Sequence, residues 1–241
     1  MEILRKKMKS GENQNKKSTR MLKVKLKTSK GRKISSTRWL ERQLNDPFVQ
    51  LAKKEGYRSR SAYKIIEIDD KFNFFLPGKK VIDLGCAPGG WSQVASNRTN
   101  SSGLKKHLAK GKVYGVDLLE IDPIDGVEFL NLDFSLNSSF EEIRMKIDGK
   151  MDVVMSDMAA PSSGHKKTDH LKIMYLCEIA AEFSFNILEK GGIFIAKVLT
   201  GGAESELQNK LKSNFSKVKY IKPNSSRSDS SEKFLIALNY K

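Results

Sequence analysis

Residues 81–92, Val-Ile-Asp-Leu-Gly-Cys-Ala-Pro-Gly-Gly-Trp-Ser, run from a short apolar stretch into a glycine-rich turn and then a helix-like segment. Gly85, Gly89 and Gly90 have no Cβ, so the backbone there can bend sharply and lie close against a ligand. A helix beginning near Trp91 would add unpaired N–H groups and the positive end of a dipole. Asp83, two positions before Gly85, would repel a pyrophosphate but suits a ligand that carries an amino group. S-adenosylmethionine is such a ligand, and the G-x-x-x-G-G spacing is not the dehydrogenase fingerprint. Asp83, Gly85, Pro88, Gly89, Gly90 and Trp91 are therefore the expected cofactor loop.

More carboxylates stand where apolar runs end. Asp117 follows Val113–Val116, Asp133 follows Phe129–Leu132, and Asp157 follows Val153–Ser156. In an open parallel sheet, ligands sit beyond the carboxyl ends of the strands. A single Asp at a strand end is usually a cap or turn residue, but a whole set on one edge is hard to assign to capping. Asp117 can accept from both ribose hydroxyls. Asp133 can accept from an adenine amino group, and Phe134 offers that ring an apolar face. A nicotinamide cofactor would also use an acid at the second strand end, but the glycine spacing and Asp133 argue against it.

Lys197 ends a fifth run, Ile193–Ala196. It should converge with Asp157 beside the cofactor. Lys64, on a helix before the first strand, and Glu232, at the start of the last, complete a Lys-Asp-Lys-Glu set. Methyl transfer to a hydroxyl is an in-line displacement that needs alignment and loss of a proton. Burial and a second cation can make a lysine the base. Two lysines facing each other would meet that need, with the carboxylates orienting them.

The elements that must position these groups alternate. Apolar runs at 80–84, 112–116, 127–132, 151–156 and 192–197 read as strands, and amphipathic segments at 90–99, 137–147 and 169–189 as helices. One helical segment is expected over 37–56 and another over 57–70, with Pro77-Gly78 leading to the first strand. A helix at 203–213 and strands at 216–221 and 233–239 follow, the last two as an antiparallel hairpin. The pattern predicts an α/β chain with a Rossmann-like, seven-stranded, mostly parallel sheet and helices on both faces.

Composition narrows the partners. The 241 residues carry a net charge of +16. Residues 1–33 hold 13 Lys+Arg against Glu2 and Glu12, and few apolar side chains. Residues 1–35 are expected to be a disordered basic arm suited to phosphate neutralisation, and 36–241 the catalytic domain. No run approaches the roughly 20 apolar residues of a membrane span, and the basic N-terminus lacks a secretory signal's apolar stretch. Two cysteines, Cys86 and Cys177, match neither a metal spacing nor a disulfide framework. A cytoplasmic chain with no metal is expected.

With these residues in view, the chain from Ser36 onward resembles the FtsJ/RrmJ family of ribosomal RNA 2′-O-methyltransferases. The resemblance is carried by Arg58-Ser-Arg-Ser-Ala-Tyr-Lys64, Asp83–Gln93, Val116–Leu119, Asp133-Phe134, Val154–Ala159, Met174–Leu176, Phe194–Lys197 and Lys222–Glu232. It implies use of S-adenosylmethionine and methylation of a uridine 2′-oxygen in the A-loop of 23S rRNA, on the large ribosomal subunit. It also implies a catalytic tetrad of Lys64, Asp157, Lys197 and Glu232, with Lys197 as base. No membrane or protein partner is implied, and a monomer is expected. Where the family often continues Pro-Asn after Asp157-Met158-Ala159, this chain has Ala160-Pro161. Arg58, Arg60, Lys222, Arg227 and Lys233 flank the tetrad and are expected to form a basic groove for RNA, with Ser225–Ser228 as a mobile substrate loop. Alternatives are a tRNA or mRNA-cap 2′-O-methyltransferase, or an RNA-binding ribosome-assembly factor without catalysis; an intact tetrad speaks against the last.

Overall fold

The computed structural model describes residues 24–26, 28, 31–199 and 205–241. The disorder expected of the basic arm falls mostly outside these residues, as does the start of the helix expected at 203. The chain divides into two compact units, one reaching to Asp46 and one running Pro47–Lys241.

In the first unit, α1 (Ile34–Leu44) ends at Asn45. The Asn45 side chain accepts from the Val24 N–H at 2.8 Å and donates to the Val24 carbonyl at 2.9 Å. The single segment expected over 37–56 is thus two helices, α1 and α2 (Pro47–Glu55). Proline at the first position of α2 explains the restart, because an N–H there has no helical partner to lose.

The second unit continues with α3 (Ala62–Phe72), β1 (Lys80–Leu84), α4 (Gly90–Thr99), β2 (Lys112–Asp117), β3 (Val127–Asn131) and α5 (Asn137–Lys146). Then come β4 (Met151–Ser156), α6 (Lys166–Ile187), β5 (Leu188–Leu199), α7 (Ser205–Asn214), β6 (Phe215–Ile221) and β7 (Glu232–Tyr240). The sheet order is β3-β2-β1-β4-β5-β7-β6. The first five strands are parallel, and β7 runs antiparallel to β5 and β6. This is the expected α/β sheet with its closing hairpin. The strand order reverses direction between β1 and β4, which opens a crevice at their carboxyl ends.

Two apolar cores hold the layers. Ile143 of α5, Met174 and Phe183 of α6 and Leu211 of α7 pack with Ile82, Leu84 and Phe194. On the opposite face Ile65 and Ile68 of α3 and Val94 of α4 pack with Val81, Met155 and Ile236. Alternate residues of each strand feed alternate cores, so both sheet faces are covered. Asp69 ties α3 down at its end: its carboxylate accepts from the N–H groups of Phe74 and Phe75 and pairs with Arg98 of α4.

β5 runs past the expected end. Lys197, Val198 and Leu199 stay in the sheet because β7 pairs with them, opposite Phe234, Lys233 and Glu232. Lys197 is therefore an interior strand residue and not a strand terminus. Among the described residues, no helix is long and apolar enough to cross a membrane.

Candidate active site

The chain leaves β1 under tight restraint. The N–H groups of Gly85 and Cys86 both donate to the Val116 carbonyl, at 2.8 and 3.2 Å. Gly85 adopts φ +75°, and a Cβ there would meet Met158 Cγ at 2.5 Å. Any larger residue would push the β1 loop off the segment that follows β4.

These loops frame a cleft of about 440 Å³ lined by Gly85, Asp117, Asp133, Phe134, Asp157 and Met158, among others. Asp117 accepts from the N–H groups of Ala87 and Leu119, one on each oxygen, at 2.8 and 2.9 Å. That fixes the carboxylate and leaves lone pairs on both oxygens for a ligand. Asp133 Oδ1 accepts from the Ser135 hydroxyl and N–H, at 2.6 and 2.9 Å. Those bonds hold its pKa below the ordinary carboxylate value. Its Oδ2 has no hydrogen bond among the described residues and lies ready to accept.

Several residues expected to touch a cofactor do other work. Phe134 is a core side chain, only 5% exposed, packed against Phe140 and Phe183 at centroid distances of 4.9 and 5.2 Å. It meets the cleft without presenting the open face anticipated from sequence. More accessible apolar wall comes from Leu118 and Leu119, which are exposed where the strand ends. Gly89 and Gly90 face protein: a Cβ would strike Ile124 at the first and Ser59 at the second. Trp91 is buried, donates from Nε1 to the Ser61 carbonyl at 2.9 Å, and packs on Phe234. Glycines and tryptophan here seat α4 against the turn before α3. Pro88 lines a neighbouring hollow with Arg58 and Leu119.

Asp83 is completely buried. Oδ2 accepts from Ser92 at 2.6 Å, while Oδ1 has no partner. Burial, reinforced by the charges of Asp157 and Asp117, pushes its pKa up to about 7 against the lowering effect of Ser92. Asp83 lies outside the residues lining the cleft.

The four candidate catalytic groups form two pairs. Lys197 Nζ donates to the Asp157 carbonyl at 2.7 Å and lies 3.1 Å from Asp157 Oδ1. Lys64 Nζ contacts both oxygens of Glu232, at 2.7 and 2.9 Å. All four side chains are less than one-fifth exposed. Each amine is thus held by a carboxylate residue, the orienting role expected of the two acids. Phe234 links the pairs: it is opposite Lys197 in the β5–β7 register, and the Lys64 ammonium lies 5.5 Å from its ring centroid.

Beside Lys64 and Glu232 is a smaller hollow of about 130 Å³, lined also by Arg60 and Arg227. The segment forming its far wall is anchored and does not hang free. Glu67, one turn after Lys64 on α3, accepts from the N–H groups of Asn224 and Ser225 at 2.6 and 2.8 Å. Arg60 donates to the Ser225 carbonyl, and Ser226 Oγ lies 3.3 Å from Glu232. Ser225 and Ser226 are buried. The loop expected to be mobile is a pinned one, and Glu67 was missed; its signal was an acid three residues beyond Lys64, on the same helix face.

Two of the expected RNA contacts brace protein loops. The Arg58 guanidinium donates to the carbonyls of Asp122 and Pro123 at 2.6 and 2.7 Å, and to Pro88 at 3.4 Å. Lys222 donates to the Ser228 and Ser230 carbonyls at 3.2 and 2.7 Å. Arg60 and Arg227 are the pair that reaches the hollow beside Lys64 and Glu232.

The FtsJ-like methyltransferase family model matches residues 57–240. A Cereibacter sphaeroides protein named ribosomal RNA large subunit methyltransferase E is 60% identical over 222 residues, 92% of this chain and 91% of that protein. A Rickettsia akari protein of the same name is 53% identical over 218 residues, 90% of this chain and 95% of its own length. The crystal structure of a Plasmodium falciparum protein described as a ribosomal RNA methyltransferase is similar at TM-score 0.66 and 32% identity, covering 76% of this chain and 98% of that one.

Proposed function

The chain belongs to the FtsJ-like methyltransferase family, and from that premise we propose that it methylates the 2′-hydroxyl of a uridine in the A-loop of 23S rRNA, in the large ribosomal subunit. The methyl donor is S-adenosylmethionine. The domain responsible begins near residue 36, with residues 1–35 as a basic appendage that adds affinity for RNA. The enzyme acts as a cytoplasmic monomer.

The donor set suits that cofactor. A cleft at the sheet's crevice offers a fixed Asp117 carboxylate for ribose hydroxyls, the unbonded Asp133 Oδ2 for an amino group, and apolar wall at Met158 and Leu118. When bound, the cofactor supplies an electrophilic methyl on sulfur. Asp117 and Asp133 orient it, and the two pairs beside it handle the hydroxyl. Lys197 in its neutral form takes the hydroxyl proton and becomes the ammonium, which Asp157 holds through its carbonyl and carboxylate. Glu232 holds Lys64, whose ammonium steadies the oxygen as it loses its proton. Alignment of this kind contributes several kcal/mol to lowering a barrier, and proton removal a factor of about 10²–10⁴.

The observation that carries this reading is the gathering of two lysine–carboxylate pairs around Phe234 at the carboxyl edge of the sheet. The test is incubation with tritiated S-adenosylmethionine and isolated large subunits, naked rRNA or tRNA, followed by mapping of the label. Label is expected on the large subunit and lost in Lys197→Ala by about 10³-fold. Label on tRNA alone would redirect the substrate assignment, and none on any RNA would leave a binding factor.

A further inference from the structure

A second cluster of charge lies outside the tetrad, on the edge strand β6. Lys217 and Lys219 are exposed and alternate with Val218 and Tyr220, which pack toward the α5–α7 side of the sheet. The lysines therefore share the opposite face, where α3 ends. There the Lys219 ammonium lies 5.5 Å from the Phe72 ring centroid, and the Lys71 ammonium lies 5.9 Å from the same ring. Two cations thus share one aromatic ring, and a third adjoins them. Among the described residues none of the three has a carboxylate within ion-pair distance. The neighbouring Lys217 charge, with partial desolvation and Lys71 behind it, holds the Lys219 amine below the ordinary lysine value.

Such a cluster lacks its counter-charge, and only part of the repulsion is offset by the ring. A row of phosphates would supply the missing anions. The position fits: Lys71 is seven residues from Lys64 on the same helix, about 10 Å of axial rise. β6 runs from Lys217 toward Lys222, whose ammonium donates to the carbonyl of Ser230 in the wall of the hollow beside Lys64.

We propose that Lys71, Lys217 and Lys219, arranged around Phe72, form a second phosphate-binding track that holds the RNA backbone flanking the target nucleotide. This rests on the reading of RNA as substrate. It adds a contact surface distinct from Arg60 and Arg227, serving affinity and not chemistry. Lysines on an edge strand can also serve only to block strand pairing, and the experiment separates the two roles.

Purified large ribosomal subunits are titrated with the full chain across roughly 50–200 mM salt. The Lys71→Ala/Lys217→Ala/Lys219→Ala variant should flatten the log–log salt slope by about 2 and weaken binding roughly 10- to 100-fold at low salt. Its turnover at saturating subunits should match the wild type. Arginine at all three positions should restore the slope, and Lys190→Ala, in the turn inside β5, should leave it unchanged. A slope equal to that of the wild type overturns the track, and self-association of the variant with an unchanged slope assigns the lysines to guarding the edge. Salt-dependent binding absent from the wild type itself would overturn the RNA reading and the track together.

Discussion

The two walls of the site are held by different means. The proposed cofactor side is made of short loops that follow parallel strands: backbone hydrogen bonds to Val116 fix Gly85 and Cys86, and the Asp117 carboxylate at the end of β2 fixes Ala87 and Leu119. The proposed substrate side is one long segment between antiparallel strands, held by the side chains of Glu67, Arg60 and Lys222. A strand register places groups wherever the sheet forms. A side-chain clamp places them only while one residue survives. Damage to the first wall should therefore appear as loss of cofactor, and damage to the second as loss of RNA recognition with cofactor binding intact.

The sharpest expected split is at Asp117. Asp117→Asn removes the charge and leaves the N–H of either Ala87 or Leu119 facing an amide donor, and S-adenosylmethionine affinity measured by calorimetry should fall about 10- to 100-fold. Turnover at saturating cofactor should fall far less. Glu67→Ala probes the other wall: kcat/KM for large subunits should drop about 10-fold, with cofactor affinity unchanged. Amide exchange at Asn224 and Ser225 should quicken in the same variant, and equal losses on both substrates would erase the distinction between the walls.

Asp83 gives a smaller effect with a defined sign. Its folded pKa of about 7 lies above its ordinary value of 3.8. Between those values the folded chain keeps a proton that the unfolded chain has released, so the contribution of Asp83 to stability is full below about pH 4 and declines as pH rises to 7. Asparagine cannot ionise, so Asp83→Asn should gain on the wild type over that window and level off above it, by at most about 4 kcal/mol. Thermal melts from pH 4 to 8 measure this, and a gap that narrows with rising pH contradicts it. The smallest change is expected for Arg58→Ala in RNA binding. Its donors end on backbone carbonyls, so the salt slope should stay within about half a unit of the wild type, while cofactor KM rises a few-fold.

Much of the architecture was legible because it rests on periodicity and strand ends. Five apolar runs in alternation with helices fix a parallel sheet, and that sheet puts the ends of β1–β4 and Lys197 on one edge. What the residues touch was less legible. A basic residue in sequence does not reveal whether its donors reach a phosphate or a carbonyl, and Arg58 and Lys222 went to carbonyls. Phe134 follows a strand end, yet Phe140 and Phe183 enclose it, a tertiary arrangement no local spacing encodes. Glycines chosen for ligand approach can equally mark where helix meets turn, as Gly89 and Gly90 do. Lys197 looked like a terminus because the partner that prolongs β5 arrives some forty residues later in the chain.

The pairing of β5 with β7 has an effect on the chemistry itself. Side chains along a strand alternate faces, so a slip of one residue would set Lys233 opposite Leu199, where Glu232 now stands. Among the described residues that line it, the hollow would trade its one acid, Glu232, for a second amine beside Lys64, and Phe234 would turn away from both lysines. Insertions between β6 and β7 can therefore be absorbed only by the loop. The balance of acid and base in this enzyme is stored in the alignment of two neighbouring backbones.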